Sequence, residues 1–141
     1  NKYSDDGTLI RTFGSPGCGN GEFRNPSSVA VADDGYIYVS DWGNERVQIL
    51  DMNGTFIAQL RGEATISKWG QDFLDANHEE AEPRSRSDLE PDIRLFGGNP
   101  HEESAQIEKL FWGPTSVKLD DAGRLYVTES NRHRVQIYER L

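Results

Sequence analysis

Apolar residues along the chain fall in short runs separated by turn-forming residues. Residues 29–32 read Val-Ala-Val-Ala, and residues 36–40 and 47–50 are rich in β-branched and aromatic side chains. Residues 55–60 alternate apolar and polar positions, which is typical of a strand with one exposed face. Asp33-Asp34-Gly35 suits a three-residue hairpin with a left-handed glycine, and Asn53-Gly54 suits a type I′ turn. The pattern predicts strands joined by tight hairpins.

The same pattern recurs later in the chain. Residues 23–49 match residues 111–137 without a gap, at a constant offset of 88 residues that links Pro26 to Pro114 and Arg46 to Arg134. A shorter match, of residues 6–10 with residues 53–57, gives an offset of 47 residues. The unit is therefore 47 residues long, and 41 further residues are inserted in the second period, between Leu60 and Phe111.

Four antiparallel strands in a unit of about 40–50 residues are typical of a β-propeller blade. We predict strands at about 8–13, 28–32, 36–40, 46–50, 55–60, 116–119, 124–128 and 134–138, with helix only inside 62–110. An unrepeated β-sandwich is the alternative, but it does not explain two fixed offsets. The fold class is therefore all-β, a partial β-propeller with a small helical insertion.

Twelve positions of the first full unit resemble the NHL repeat: Phe23, Pro26, Val29, Asp33, Gly35, Tyr38, Val39, Asp41, Asn44, Arg46, Val47 and Gln48. The glycine-rich run at 13–21 is similar to the linker between blades of that family. The second unit departs from the pattern, with Glu129 in place of Asp and Arg132 in place of Asn. The resemblance covers residues 4–61 and 111–139 and implies a propeller that has six blades when complete.

The resemblance also suggests a division of the chain. Residues 1–61 would hold the end of one blade and one complete blade, and residues 111–141 the first three strands of the next. The chain is then expected to be a piece of a larger propeller. Strands 8–13 and 134–138 would carry open edges, which favour self-association or pairing with remaining blades.

Residues 62–110, the segment that contains the 41 inserted residues, have a different composition. They contain 12 acidic and 5 basic residues, so they hold −7 of the total charge of −9. Ile66, Trp69, Phe73 and Ala76 form an amphipathic helical stripe, and residues 83–91 suit a polar linker. Asn99-Pro100 is typical of a helix start, and we expect that helix to reach Leu110. The segment is predicted to be two short helices and a connector.

Charge and composition limit the classes of function. The acidic balance disfavours nucleic-acid binding, and no apolar run is long enough to span a membrane. The single cysteine, Cys18, excludes an internal disulfide and a cysteine-based zinc site. His78, His101 and His133 lack metal-binding spacing, and no nucleophile motif is present, so no catalytic, cofactor or metal residues are predicted.

Asp41 and Arg46 flank a tight turn and are predicted to pair across its base, as are Glu129 and Arg134. Propeller topology places that turn, its repeat around Asn131 and the insertion on one face. Loops on a rigid scaffold commonly carry binding residues. We therefore predict a binding face that contains Trp42, Asn44, Asn131, Arg132 and His133.

The favoured function is a non-catalytic scaffold whose loop-rich face binds a protein partner. Two alternatives remain open. The resemblance admits a propeller lyase or lactone hydrolase, whose metal at the central channel would need ligands from several blades. It also admits RNA binding by a propeller face, which the acidity disfavours.

Overall fold

The computed structural model describes residues 1–93 and 98–139. Residues 94–97, inside the predicted insertion, and residues 140 and 141, in the predicted last segment, lie outside the described residues. No helix in the described ranges is long and apolar enough to cross a bilayer.

Two antiparallel sheets form the framework. The first blade has the strand order β5-β6-β7-β8, formed by Pro26–Val31, Ile37–Asp41, Arg46–Leu50 and Phe56–Leu60. The second blade contains β9 (Pro114–Leu119), β10 (Leu125–Glu129) and β11 (Arg134–Tyr138). These seven strands confirm the positions predicted from the repeat. The protein is mostly β, as a partial NHL-type propeller requires.

Shorter strands precede the first blade. β1 (Lys2–Tyr3) pairs with β2 (Leu9–Arg11), which lies within the predicted strand 8–13. In the glycine-rich linker, β3 (Ser15–Pro16) pairs in parallel with β4 (Glu22–Phe23), a short ladder that the sequence did not predict. Cys18, between them, is exposed.

One hairpin design recurs through the chain. The Gly7, Gly35, Gly54 and Gly123 N–H groups each donate to the carbonyl three residues earlier, and each glycine has φ between 77° and 88°. A single left-handed glycine after a turn is the three-residue hairpin with a bulge. The predicted type I′ turn at Asn53-Gly54 is therefore wrong, because Asn53 is not among the residues with positive φ. The Asp51 carboxylate accepts the Asn53 and Thr55 N–H groups and favours the observed turn.

The two blades pack face to face. Tyr38 and Val47 of the first blade meet Val117, Leu125 and Val127 of the second in one buried cluster, which Phe111 completes. Hydrogen bonds cross the same interface: the Ser40 hydroxyl donates to the Pro114 carbonyl at 2.6 Å, and the Ser28 hydroxyl accepts the Val117 N–H at 3.2 Å.

The segment between β8 and β9 contains three α-helices in its described part. They are α1 (Lys68–Ala76), α2 (His78–Arg86) and α3 (Pro100–Gln106). The Arg61 carbonyl accepts the Phe111 N–H at 2.7 Å, and the Ala64 N–H donates to the Lys109 carbonyl at 3.0 Å. The helices therefore extend from a base that two backbone hydrogen bonds close.

Three helical predictions need correction. Residues 83–86 of the predicted polar linker belong to α2, which begins at His78. Acidic residues in its first turn and arginines in its last turn complement the helix dipole. α3 begins at the predicted Asn99 cap but ends at Gln106, because the following carbonyls bind arginines of the second blade. A 3₁₀ turn at Trp42–Asn44 lies outside 62–110, where helix was not expected.

Candidate functional site

A carboxylate organises the β6–β7 turn of the first blade. Asp41 is fully buried, and its Oδ2 accepts the Arg46 Nε–H at 2.8 Å and the Asn44 amide at 2.8 Å. Its Oδ1 accepts the Arg24 N–H at 2.7 Å, so the carboxylate also fixes the entry to β5. The predicted Asp41–Arg46 pair is confirmed.

The second blade repeats the arrangement with a longer acid. Glu129 Oε1 accepts the Arg134 Nε–H at 2.6 Å, and Oε2 accepts the Trp112 N–H at 2.9 Å. Arg134 also donates to the carbonyls of Glu108 and Leu110, which end the insertion. The predicted Glu129–Arg134 pair is therefore confirmed, and both pairs act as structural ties of the blades.

Asn44 and Arg132 occupy equivalent positions in the two units. Each side chain donates a hydrogen bond to a backbone carbonyl of the segment that precedes its blade. The Asn44 amide donates to the Gly17 carbonyl at 3.0 Å, and the Asn44 side chain is buried. The Arg132 guanidinium donates to the Ser104 carbonyl at 2.7 Å and lies 5.4 Å from the centre of the Trp112 ring. Burial there lowers the pKa of Arg132.

No local sequence pattern predicts the contact between Glu45 and the insertion. Glu45 has φ 53° and is buried. Its Oε1 lies 2.6 Å from Nδ1 of His101, and its Oε2 accepts the Gly113 N–H at 2.5 Å. The Trp112 indole donates to His101 Nε2 at 3.4 Å, so His101 joins both blades to α3.

The other predicted face residues are distributed differently. Trp42, Asn131 and His133 are exposed, and His133 has a positive φ like its counterpart Glu45. The 3₁₀ turn that contains Trp42 contacts α3. A cleft of about 1010 Å³ is lined by residues of both the second turn and the insertion, among them Asn131, Arg132, Ile66 and Trp69. The insertion and the second turn therefore border a common cleft.

The apolar face of α1 was not among the residues of the predicted binding face. Ile66, Trp69 and Phe73 were expected to form an amphipathic stripe, yet α1 has no buried residue. Trp69 is 79% exposed and Phe73 47% exposed, and their rings stack with centres 6.3 Å apart. We call Ile66, Trp69 and Phe73 the α1 face.

A comparison with known protein families matches the two repeated units of the chain. The family model described as "NHL repeat" matches residues 23–50 and 111–138. These two segments are NHL repeats. They contain both carboxylate–arginine ties and all of β5–β7 and β9–β11.

Two curated relatives share part of this NHL region. The chain is similar to Protein lin-41 of Caenorhabditis elegans, with 44% identity over 50 residues, which are 36% of this chain and 4% of the relative. It is also similar to the E3 ubiquitin-protein ligase TRIM71 of Rattus norvegicus, with 39% identity over 54 residues, 38% of this chain and 6% of the relative. The matched residues are thus a small fraction of either relative's length.

Proposed function

We propose that this NHL-repeat protein is a non-catalytic scaffold that binds a protein partner through the α1 face. The observation that carries the proposal is the stacked, exposed Trp69–Phe73 pair on a helix that buries none of its residues. Tryptophan is enriched among the residues that dominate binding energy at protein interfaces. An exposed apolar cluster rimmed by polar groups is typical of an interaction site.

The charge around the α1 face favours a basic partner. Asp72 and Asp75 lie on the same helix, and the insertion as a whole carries −7. Lys68, in the same helix, forms an ion pair with Asp72 at 2.6 Å. An acidic surface accelerates association with a basic ligand, an effect that salt screens over about 10 Å at 0.1 M. The occupant we assign is therefore a basic protein segment with aromatic or aliphatic anchors.

The ionisable side chains at and beside the turns that follow β6 and β10 support a scaffold role. Asp41, Glu129 and their arginines are used to hold strands and linkers in place. Glu45 and His101 bind each other and neighbouring groups of the second blade. These contacts account for the polar groups in structural terms.

A displayed peptide library tests the proposal. The intact chain should enrich peptides that combine Lys or Arg with aromatic or aliphatic residues. The variant Trp69→Ala/Phe73→Ala should not enrich them, whereas Ile57→Ala, which truncates an exposed apolar residue of β8, should. Enrichment of the same peptides by the double variant would overturn the proposal. So would retention of a random RNA pool in preference to peptides, which would favour an RNA-binding propeller.

A further inference from the structure

Ser87, which follows α2, differs from every other serine and threonine of the chain in the charges that come after it. Asp88 is the next residue and Glu90 lies three positions on, and no other serine or threonine has an acidic residue at both of these positions. Glu90 forms an ion pair with Lys109, but its side chain is 62% exposed, and exposed pairs are weak enough for a basic groove to replace. Charge patterns of this kind are one means by which protein kinases select their substrates.

The backbone at Ser87 is exposed and extended, so an enzyme can reach its hydroxyl. α2 ends at Arg86, and Ser87 has φ −76° and ψ 142°, an extended conformation. Asp88 and Glu90 are exposed as well. The Ser87 hydroxyl donates to the Pro83 carbonyl at 2.8 Å, and this exposed hydrogen bond can be exchanged for one to the base of an enzyme.

Ser85, two residues earlier, has a different environment. It lies within α2, and its hydroxyl donates to the Glu82 carbonyl at 2.8 Å inside the helix. The residues on either side of it are arginines that already bind carboxylates of the protein. Arg84 pairs with Glu108 at 2.8 Å, and Arg86 pairs with Glu82. The arginines are therefore engaged within the chain, which favours recognition through the acidic residues after α2.

A phosphate on Ser87 would lie close to a cation that it can bind. Arg84, Ser87 and Glu108 line one cleft of about 770 Å³ beside α1 and α2. The Arg84–Glu108 pair, partly exposed on both sides, ties α2 to the segment before the second blade. A phosphate offers nearly two negative charges and three acceptor oxygens, and arginine binds it through strong charge-assisted hydrogen bonds. The ester oxygen would also lose its proton and with it the bond to the Pro83 carbonyl, at the helix end where the dipole disfavours negative charge.

We propose that Ser87 is a phosphorylation site for a protein kinase that selects acidic residues, and that the phosphate takes Arg84 from Glu108 and releases α2 from the second blade. The Ser87 Oγ attacks the γ-phosphorus of ATP. The new Oγ–P bond replaces the bond from phosphorus to the β-phosphate oxygen, ADP leaves, and the hydroxyl proton passes to a carboxylate of the kinase. Neither the modification nor the release requires a partner at the α1 face.

Phosphorylation of the intact chain tests the site. The chain is incubated with ATP and either a kinase that selects acidic residues at the first and third positions after the serine or a kinase that selects arginine three positions before it. Tandem mass spectrometry locates the phosphate. The acid-selecting kinase should modify Ser87, and Asp88→Asn/Glu90→Gln should slow the reaction several-fold, whereas Ser85→Ala should leave the rate unchanged. Phosphate on Ser85, faster modification by the arginine-selecting kinase, or an unmodified chain would overturn the proposal.

Hydrogen exchange tests the release of α2. The amides of α2 should exchange several-fold faster in the phosphorylated chain, whereas those of β9 and β10 should keep their rates. Glu108→Gln removes the carboxylate that holds Arg84, so it should accelerate exchange in α2 without phosphate, and phosphorylation should then add little. Unchanged exchange in α2 after phosphorylation, or an equal further acceleration in Glu108→Gln, would overturn the release whatever peptides the α1 face binds.

Discussion

Glu45 of the first blade and His101 of the insertion are in direct contact, with Oε1 2.6 Å from Nδ1. The other oxygen of Glu45 accepts the Gly113 N–H, and His101 Nε2 accepts the Trp112 indole N–H. One buried carboxylate therefore connects a turn of the first blade, the start of the second blade and helix α3.

Removal of the imidazole should loosen this connection. His101→Ala leaves the buried Glu45 carboxylate with the Gly113 N–H but without its side-chain partner, so we expect a loss of about 1–3 kcal/mol in the free energy of unfolding. Urea denaturation measures it. His78→Ala, at an exposed position in α2, is the matched control and should leave the midpoint unchanged. Identical midpoints for the two variants would show that the contact does not stabilise the fold.

The Asp41–Arg46 pair should be far more sensitive than a surface pair. Arg46→Ala leaves a fully buried carboxylate without its charged partner, which typically costs about 3–5 kcal/mol. Arg124→Ala breaks the partly exposed pair with Asp120 and should change stability little. Thermal unfolding of both variants checks the contrast. A similar small effect for both would contradict the structural role of the tie.

Tyr138 should make the fold sensitive to high pH. Burial raises the pKa of its hydroxyl to about 12, above the usual value near 10. Since the neutral form is favoured in the folded state, this contribution to stability is present below about pH 10 and is lost as the pH rises towards 12. Absorbance titration should show tyrosine absorbance that changes only at high pH, and Tyr138→Phe should reduce the amplitude of that late change. An amplitude that Tyr138→Phe leaves unaltered would contradict the assignment.

The repeat explains why the blades were predictable and the insertion was only partly so. Each strand pattern occurs in both units, as the match of Tyr38 with Tyr126 shows. The limits of a strand can therefore be predicted from two segments of the sequence. α2 was not predicted because its residues are polar and form no apolar stripe, although the charges at the two ends of the helix favour it. The Glu45–His101 contact joins residues 56 positions apart, and no local pattern predicts such a pair.

The backbone hydrogen bonds at the base of the insertion indicate where the helices can be removed without breaking the blades. Replacing residues 65–108 by Asn-Gly keeps the Arg61–Phe111 and Ala64–Lys109 backbone bonds. Glu45→Gln should accompany the replacement, because His101 is then absent. We expect the blades to unfold cooperatively in urea and to lose peptide binding. A chain that no longer folds would show that the helices are part of the core, and the binding role assigned to them would lose its support.

The affinity of a selected peptide for the α1 face tests the central claim most directly. A peptide enriched by the intact chain is titrated calorimetrically against the intact chain, Trp69→Ala and Ile57→Ala. Loss of a tryptophan anchor typically costs at least about 2 kcal/mol, so Trp69→Ala should weaken binding about 30-fold while Ile57→Ala leaves it unchanged. An unchanged dissociation constant for Trp69→Ala would contradict the account.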